Sequence, residues 1–554
     1  MLNAESLLHR MKRREWYIWG AVVVLVALAY VAAHVWVIRM DLTDDRHYTL
    51  SRQTKQLLRD LDKPIDVTLY LDGDLNAGFR KLRAATEETL DEFRIYADIH
   101  RRSYDPDKDK LPDGLQPTIV HEREHNGKTA QTPVYPYAKI AYDGRYKIVH
   151  LLNNNRQLSG EENLNMSVEN LEYTLMEAIH ELTRRETPRV AFIEGHQELP
   201  EPNVADLVEM LQHHFQVDRG RIGQDPEALQ AYRALIIADP QTPFSEEDKY
   251  CLDQYLMHGG RILWVLNGVQ FSDKVLSESG FTPVIPLDLN LSDMLFRYGI
   301  RIQPALLQDV QCLPIPVNVS QDPQQTNLQP MPWYYAPLLL TSQESPVTKN
   351  VTQVSCSFAS PIEAVGGDDG IRKEILLATS TASRVIPTPA EVDLGDLNPD
   401  METFRYQYIP VAVALQGEFP SIFAHRMRPD SIHTRLEQRA TSVDTRQIVV
   451  ASGSIIRNEV EKGQALPAGY DRYSGMQFGN RDFLTNAVLY LADNEGLIAL
   501  RQKKVDLHLL NQKRSYQQRT AIQLVSTIAP IALLALVGLT VMIIRKRKYT
   551  HKTR

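Results

Sequence analysis

Cysteine is scarce: Cys251, Cys312 and Cys356 are all there are in 554 residues, and no CxxC pair occurs. A disulfide scaffold, a zinc knuckle and a thiol-redox motif are thereby excluded. Odd in number and widely spaced, the three read as buried free thiols, with a Cys312–Cys356 disulfide as the alternative in an oxidising compartment. Phosphate-cradling glycines are missing as well. The one Gly-Lys-Thr, Gly127-Lys128-Thr129, has Glu122 where a Walker A loop needs its leading glycine, so no triphosphate loop is present. GxSxG and HExxH do not occur, nor does any internal repeat or low-complexity tract. Basic charge is in deficit, with 61 Lys+Arg against 69 Asp+Glu for a net charge of −8. Without a basic stripe nothing releases counterions from a phosphate backbone, and nucleic acid is a poor partner. An apolar fraction of 43% and a charged fraction of 23% exclude wholesale disorder and fit about three folded units. A mean hydropathy of −0.31 excludes a polytopic carrier.

That average hides two long apolar runs. Residues Trp16–Ile38 and Ala521–Ile544 contain no Asp, Glu, Lys or Arg over 23 and 24 positions. About 20 apolar residues suffice to cross a bilayer core. Trp16, Tyr17, Trp19 and Trp36 mark the edges of the first run as an aromatic belt would. Ala27-Leu28-Ala29 has the form of a signal-peptidase site, but nine further uncharged residues follow it, too many for a signal h-region. The run therefore reads as an uncleaved anchor. Arg10, Lys12, Arg13 and Arg14 precede it, and a tail of Arg545, Lys546, Arg547, Lys548, Lys552 and Arg554 follows the second run. Excess positive charge predicts that both ends are cytoplasmic, although Lys513, Arg514 and Arg519 lie before the second span. Counting the termini as +2 and +6 leaves −16 on the stretch 39–520. The expected plan is a cytoplasmic N-terminus (1–15), a span (16–38), an outer body (39–500), a juxtamembrane segment (501–520), a second span (521–544) and a basic tail (545–554). An inner-membrane location with the body in the periplasm follows.

Within the body, 39–187 reads as an α/β unit. Ile65–Leu71 alternates as a strand, Leu82, Leu90, Phe93 and Tyr96 follow helical spacing, and Asp143-Gly144 marks a tight hairpin. A helix around Val168–Leu182 closes the unit. Its outline is thioredoxin-like, without the cysteine pair for thioredoxin chemistry. The stretch 188–280 is the clearest: strands at 190–193, 234–238 and 261–266 are separated by two helices. The first helix carries Val204, Leu207, Val208 and Leu211 on one stripe, and the second starts at Ser245. That pattern predicts a parallel βαβαβ domain with any ligand site at the carboxyl ends of its strands. Residues 281–500 read as an irregular α/β continuation, with a strand at 447–456 and a helix at 481–492. The fold class is α/β in several domains.

One cluster tempts a catalytic reading. Glu194, His196 and Glu198 sit at the end of a predicted parallel strand, and a histidine between carboxylates suits a general base or a metal ligand. The plainer reading is a polar loop with a glycine turn that serves at most for interaction. A flavodoxin-type hydrolase or amidotransferase needs a Ser or Cys in a sharp turn after a strand, yet the turn after Leu266 reads Asn267-Gly268-Val269. Cys251 lies mid-helix, where a thiol packs. His213 and His214 are adjacent and read as surface residues. No catalytic residue, cofactor or resident metal is expected.

Six segments in order carry a resemblance: DLTDDRHYTLS beyond the first span, RVAFIEGHQELP (189–200), LNLSDMLFRYGIRI (289–302), MPWYYAPLLL (331–340), FGNRDFLTNAVLYLADNEGLIALRQK (478–503) and the closing span with its basic tail. Together they resemble the GldG family, gliding-motility-associated auxiliary subunits of ABC-type systems in Bacteroidota. The resemblance implies a middle region like flavodoxin-type amidotransferase domains that have lost catalysis, a GldF-like permease, a GldA-like ATPase and a further envelope partner. Two copies per complex is the expectation from the two-fold symmetry of ABC ATPases. The expected function is a non-catalytic subunit that transmits motion or scaffolds periplasmic partners. The alternatives are a solute- or glycan-binding protein, and a metal-assisted hydrolase using His196 and Glu198.

Overall fold

The protein is described by a computed structural model covering residues 50–500, apart from 74, 105–114, 124–128, 154–158, 185, 319–326, 367–369, 494–497 and 499, together with helical positions between 527 and 543. Met1–Lys503 and Lys504–Arg554 form two compact units. In the second, the described residues are helical, and Leu534, Leu536 and Met542 are exposed. Among the described residues no helix is long and apolar enough to cross a membrane. The expected span 16–38, part of the span 521–544 and the flanking segments 1–15, 501–520 and 545–554 lie outside the described residues.

Among the described residues the first element is α1 (Arg52–Arg59), whose first turn is capped by the Ser51 hydroxyl accepting the Thr54 N–H. In β1 (Ile65–Leu69) alternate residues Ile65, Val67 and Leu69 are buried. α2 (Ala77–Phe93) sends Phe79, Leu82, Leu90 and Phe93 into the same core, and β2 (Ile99–Ser103) pairs parallel with β1. β3 (Tyr137–Tyr142) and β4 (Arg145–His150) form the expected hairpin, with Asp143 and Gly144 at φ 50° and 78°. β3 runs antiparallel to β1, giving the order β2-β1-β3-β4. α3 (Gly160–Thr183) then covers the sheet, opened by a reciprocal capping box between Ser159 and Glu162.

The chain next alternates strand and helix: β5 (Arg189–Glu194), α4 (Ala205–Gln212), β6 (Gln216–Arg221), β7 (Ala234–Ala238), α5 (Glu246–Met257) and β8 (Ile262–Val265). More distant residues extend the same sheet as β9 (Cys312–Asn318), β10 (Leu328–Thr341), β11 (Arg372–Ala378), β12 (Pro410–Gly417) and β13 (Thr445–Val450), before the helix α6 (Asn480–Ala492). The ten-stranded sheet has the order β9-β10-β11-β12-β13-β8-β7-β5-β6, with Val354–Ser355 beside β10. Five strands, β6, β5, β7, β8 and β13, are mutually parallel; the others add on antiparallel.

Burial explains why the central strands are apolar without alternation. Every residue of β7 and β8 is buried, as a parallel sheet covered on both faces requires. Ala234, Ile236, Leu263 and Val265 meet Leu207 and Leu211 of α4 and Phe483, Leu484 and Val488 of α6. On the opposite face Leu235, Ile237, Ile262 and Trp264 meet Tyr250, Leu252 and Leu256 of α5. The sequence separates 188–280 from 281–500, whereas in the structure one sheet draws strands from both. β6 is a further strand that the three-strand reading lacks. The stretch 447–456 is strand only as far as Val450, after which Gly453–Ile455 forms a 3₁₀ turn. The three thiols are free, and Cys312 is not joined to Cys356. Burial pushes Cys251 up to about 12 and Cys312 up to about 11, so both stay protonated.

Candidate functional site

In chain order the five parallel strands are arranged 2-1-3-4-5, so the order reverses between β5 and β7. Open α/β sheets place their ligand crevice beyond the carboxyl ends at such a reversal. Two polar clusters occupy that edge.

The first is the loop singled out in the sequence. Gly195 takes a φ of 133° and Gln197 one of 56°, which folds the chain back immediately after β5. The turn aims His196 inward, where it is 6% exposed and its ring stacks on Phe244 at 3.6 Å between centroids. Nδ1 lies 3.1 Å from Glu198 Oε1, and Nε2 lies 3.3 Å from Asp248 Oδ2. Glu198 also accepts the backbone N–H groups of Gly195 (3.0 Å) and His196 (2.8 Å) through Oε2. Asp248 sits in the first turn of α5, where Ser245 caps the helix and donates its hydroxyl to Asp248 Oδ2 at 2.7 Å. Burial opposes the histidine's charge, but hydrogen bonds to Asp248 and Glu198 outweigh it and raise His196 to about 9. Burial likewise opposes ionisation of Glu198 and Asp248, and the same hydrogen bonds from His196 hold both below the usual carboxylate range. Glu194 stands apart, accepting from Arg219 Nε at 2.8 Å with 44% of its side chain exposed.

His196 and Glu198 are thus brought together with Asp248, and Glu194 is not part of their contact. Both imidazole nitrogens are engaged by carboxylates. The arrangement is an imidazolium clamp joining the end of β5 to the start of α5, and it leaves neither nitrogen to take a substrate proton.

The second cluster was not anticipated. Asp239 follows β7 with a φ of 57° and is 1% exposed. Its Oδ1 accepts from Asn267 Nδ2 (2.7 Å) and Gln241 Nε2 (2.9 Å), and its Oδ2 pairs with Arg457 at 3.1 Å. Asn267 in turn accepts the Gly453 N–H at 2.8 Å. Gly453 packs so closely that a Cβ there would stand 2.2–2.5 Å from the Asp239 carboxylate. Burial pushes Asp239 above the usual carboxylate range, against the Arg457 guanidinium. Asn267, at the position where a nucleophile would stand, therefore ties the ends of β7 and β8 to the loop after β13. The Asn267-Gly268 turn was visible in the sequence; Gly453 and Arg457 lie nearly two hundred residues away and gave no local signal.

A separate cleft of about 260 Å³ opens between α3 and the body, lined by polar side chains that include Asn153, Asn170, Glu177, Lys349, Asn350 and Asp482.

Residues 187–487, more than half of the chain, match the model of a family described as an ABC-type uncharacterized transport system, and the chain belongs to that family of ABC-transport auxiliary proteins. A domain of unknown function matches residues 44–141. An uncharacterized protein of Borreliella burgdorferi is 20% identical over 384 residues, covering 66% of this chain and 69% of that protein. A solved structure, the mmIFT52 N-terminal domain, is matched at 14% identity and a TM-score of 0.31 over 58% of this chain and 100% of that one. At that score the likeness carries no argument. An ABC-type transport system implies a permease and an ATPase alongside this chain.

Proposed function

We propose that the chain is a non-catalytic, membrane-anchored subunit of an ABC-type transport complex, with both termini in the cytoplasm and residues 39–520 in the periplasm, and that it transmits the motion of the complex or scaffolds an envelope partner. The family match over 187–487 carries this reading. The polar groups at the carboxyl edge of the sheet support its non-catalytic part, because Asn267 and His196 are engaged in holding loops together. The apolar runs and their basic flanks support the two anchors. The strand orders β2-β1-β3-β4 and 2-1-3-4-5 favour a thioredoxin-like unit followed by a flavodoxin-like one. The resemblance to the GldG family extends the proposal to a GldF-like permease, a GldA-like ATPase and a role in gliding or envelope function.

Capture of the tagged full-length chain from its native membrane in mild detergent is the test. Stoichiometric recovery of a polytopic permease and a P-loop ATPase is expected. Recovery of the chain without an ATPase would remove the reading. Binding of a polar solute or glycan is the second reading, and the polar cleft beside α3 favours it over Glu194–Glu198 as the place. It predicts ligand-dependent melting of the full chain that is insensitive to His196→Gln.

A further inference from the structure

His214, at the end of α4, does not face solvent as its neighbour His213 does. Its Nδ1 lies 2.7 Å from Glu181 Oε1 and 3.9 Å from Glu177 Oε1. The two glutamates are one turn apart on α3 and so project from the same face of that helix. One donor atom from each of the three residues falls within 4.8 Å of the others. Their side chains are only 16–23% exposed. We infer that Glu177, Glu181 and His214 form a divalent-metal site that fastens α3 to the ten-stranded body.

Four features of the geometry support the assignment. Two ligands come from α3 and the third follows α4 of the ten-stranded body, so a bound ion would tie that helix to the body. Bonds of about 2.0–2.1 Å in tetrahedral array separate ligand atoms by about 3.3 Å. The observed 2.7 and 3.9 Å bracket that spacing. The carboxylates are also oriented from outside: Tyr173 donates its hydroxyl to Glu177 Oε1 at 2.6 Å, and the Lys147 ammonium holds Glu181 Oε2. Outer contacts of this kind aim ligands in metal sites, and here they restrict Glu181 to one coordinating oxygen. Finally, a cavity of about 40 Å³ opens beside the three residues, with Asp493 also in its wall. That space accommodates the water ligands needed to complete the shell of an ion held by three protein donors. One imidazole and two carboxylates, with no thiolate, suit zinc or another first-row dication. The competing occupant is a proton: a protonated His214 bridging the two glutamates.

Zinc binding to the full-length chain in detergent separates the two. The chain is stripped with EDTA and dialysed, then titrated with zinc chloride by calorimetry, with bound metal counted by atomic emission. One zinc per chain is expected, together with a higher melting temperature. His214→Ala and Glu177→Gln should each weaken that binding at least tenfold, while His213→Ala leaves it unchanged. Glu177→Gln serves as the independent variant if His214→Ala fails to fold, because it leaves the His214–Glu181 pair in place. Absence of zinc, or equal affinity in the wild type and both variants, would overturn the assignment in favour of the proton.

Discussion

The charge on His196 is set by its partners, and this gives the strand-end loop a pH signature. Its folded value of about 9 stands above its ordinary 6.5. The stability it contributes is therefore fully present below pH 6.5 and is lost as the pH rises through 9. Glu198 and Asp248 are depressed from 4.5 and 3.8, so their share is present above those values and is lost on acidification. Between pH 7 and pH 9 the histidine's share falls by about 2 kcal/mol. Melting of the full-length chain should decline over that interval, and His196→Gln should flatten the decline while lowering the plateau. Parallel curves for the two proteins would mean that the imidazole is not responsible. Gly453 makes a steric prediction. Gly453→Ala drives a methyl group into the Asp239 carboxylate and should cost about 3 kcal/mol, read as a lower melting temperature. Gly463→Ala does not test packing because of its positive φ; Gly160, where a Cβ meets nothing within 4 Å, is the appropriate control. His196 and Glu198 were legible as a polar cluster, yet their role was not, since Asp248 and Phe244 complete the clamp from a different helix and loop. His214 was misread for a similar reason: adjacency places two histidines on different sides of a helix but does not say that one side meets α3.

Elements with strong local signals matched the sequence closely. Asp143-Gly144 made its hairpin, the Val204–Leu211 stripe made α4, and Ser245 capped α5. β6 escaped notice because QVDRGR offers a single apolar residue, as an edge strand at the end of a sheet can. The motifs that carry the family resemblance are held by their packing. Asn480, in the segment 478–503, accepts from Ser355 N at 3.0 Å and Ser355 Oγ at 3.1 Å, and donates to Ser355 O at 2.8 Å and Ile455 O at 3.2 Å. Asn290 and Asp293, in 289–302, accept from the buried Lys249 ammonium at 3.4 and 2.8 Å. Tyr298, in the same segment, donates to the buried Asp253 at 2.8 Å, which also accepts from Ser421 at 2.6 Å. Truncating a fully bonded buried amide strands its partners, so Asn480→Ala should destabilise by about 2–3 kcal/mol. A change under about 0.5 kcal/mol in denaturant unfolding would contradict that role for the start of α6.

At the scale of the molecule, the sequence foretold a mixed α/β body but not how its sheet is assembled. The pairing of β13 with β8 brings together residues almost two hundred positions apart, and no local pattern encodes it. That pairing delivers Gly453 and Arg457 to Asn267 and Asp239 at the carboxyl edge. The proposed transmission role requires that nucleotide states of the complex interact differently with this chain. By linkage, a chain that favours one nucleotide state must change nucleotide affinity by the same factor. The most direct test is the affinity of the co-purified permease and ATPase for a non-hydrolysable ATP analogue, measured with and without this chain. A change of about fivefold or more is expected, the lower end of typical coupling between sites. Equal affinities would show the chain to be a passenger and would contradict the transmission role.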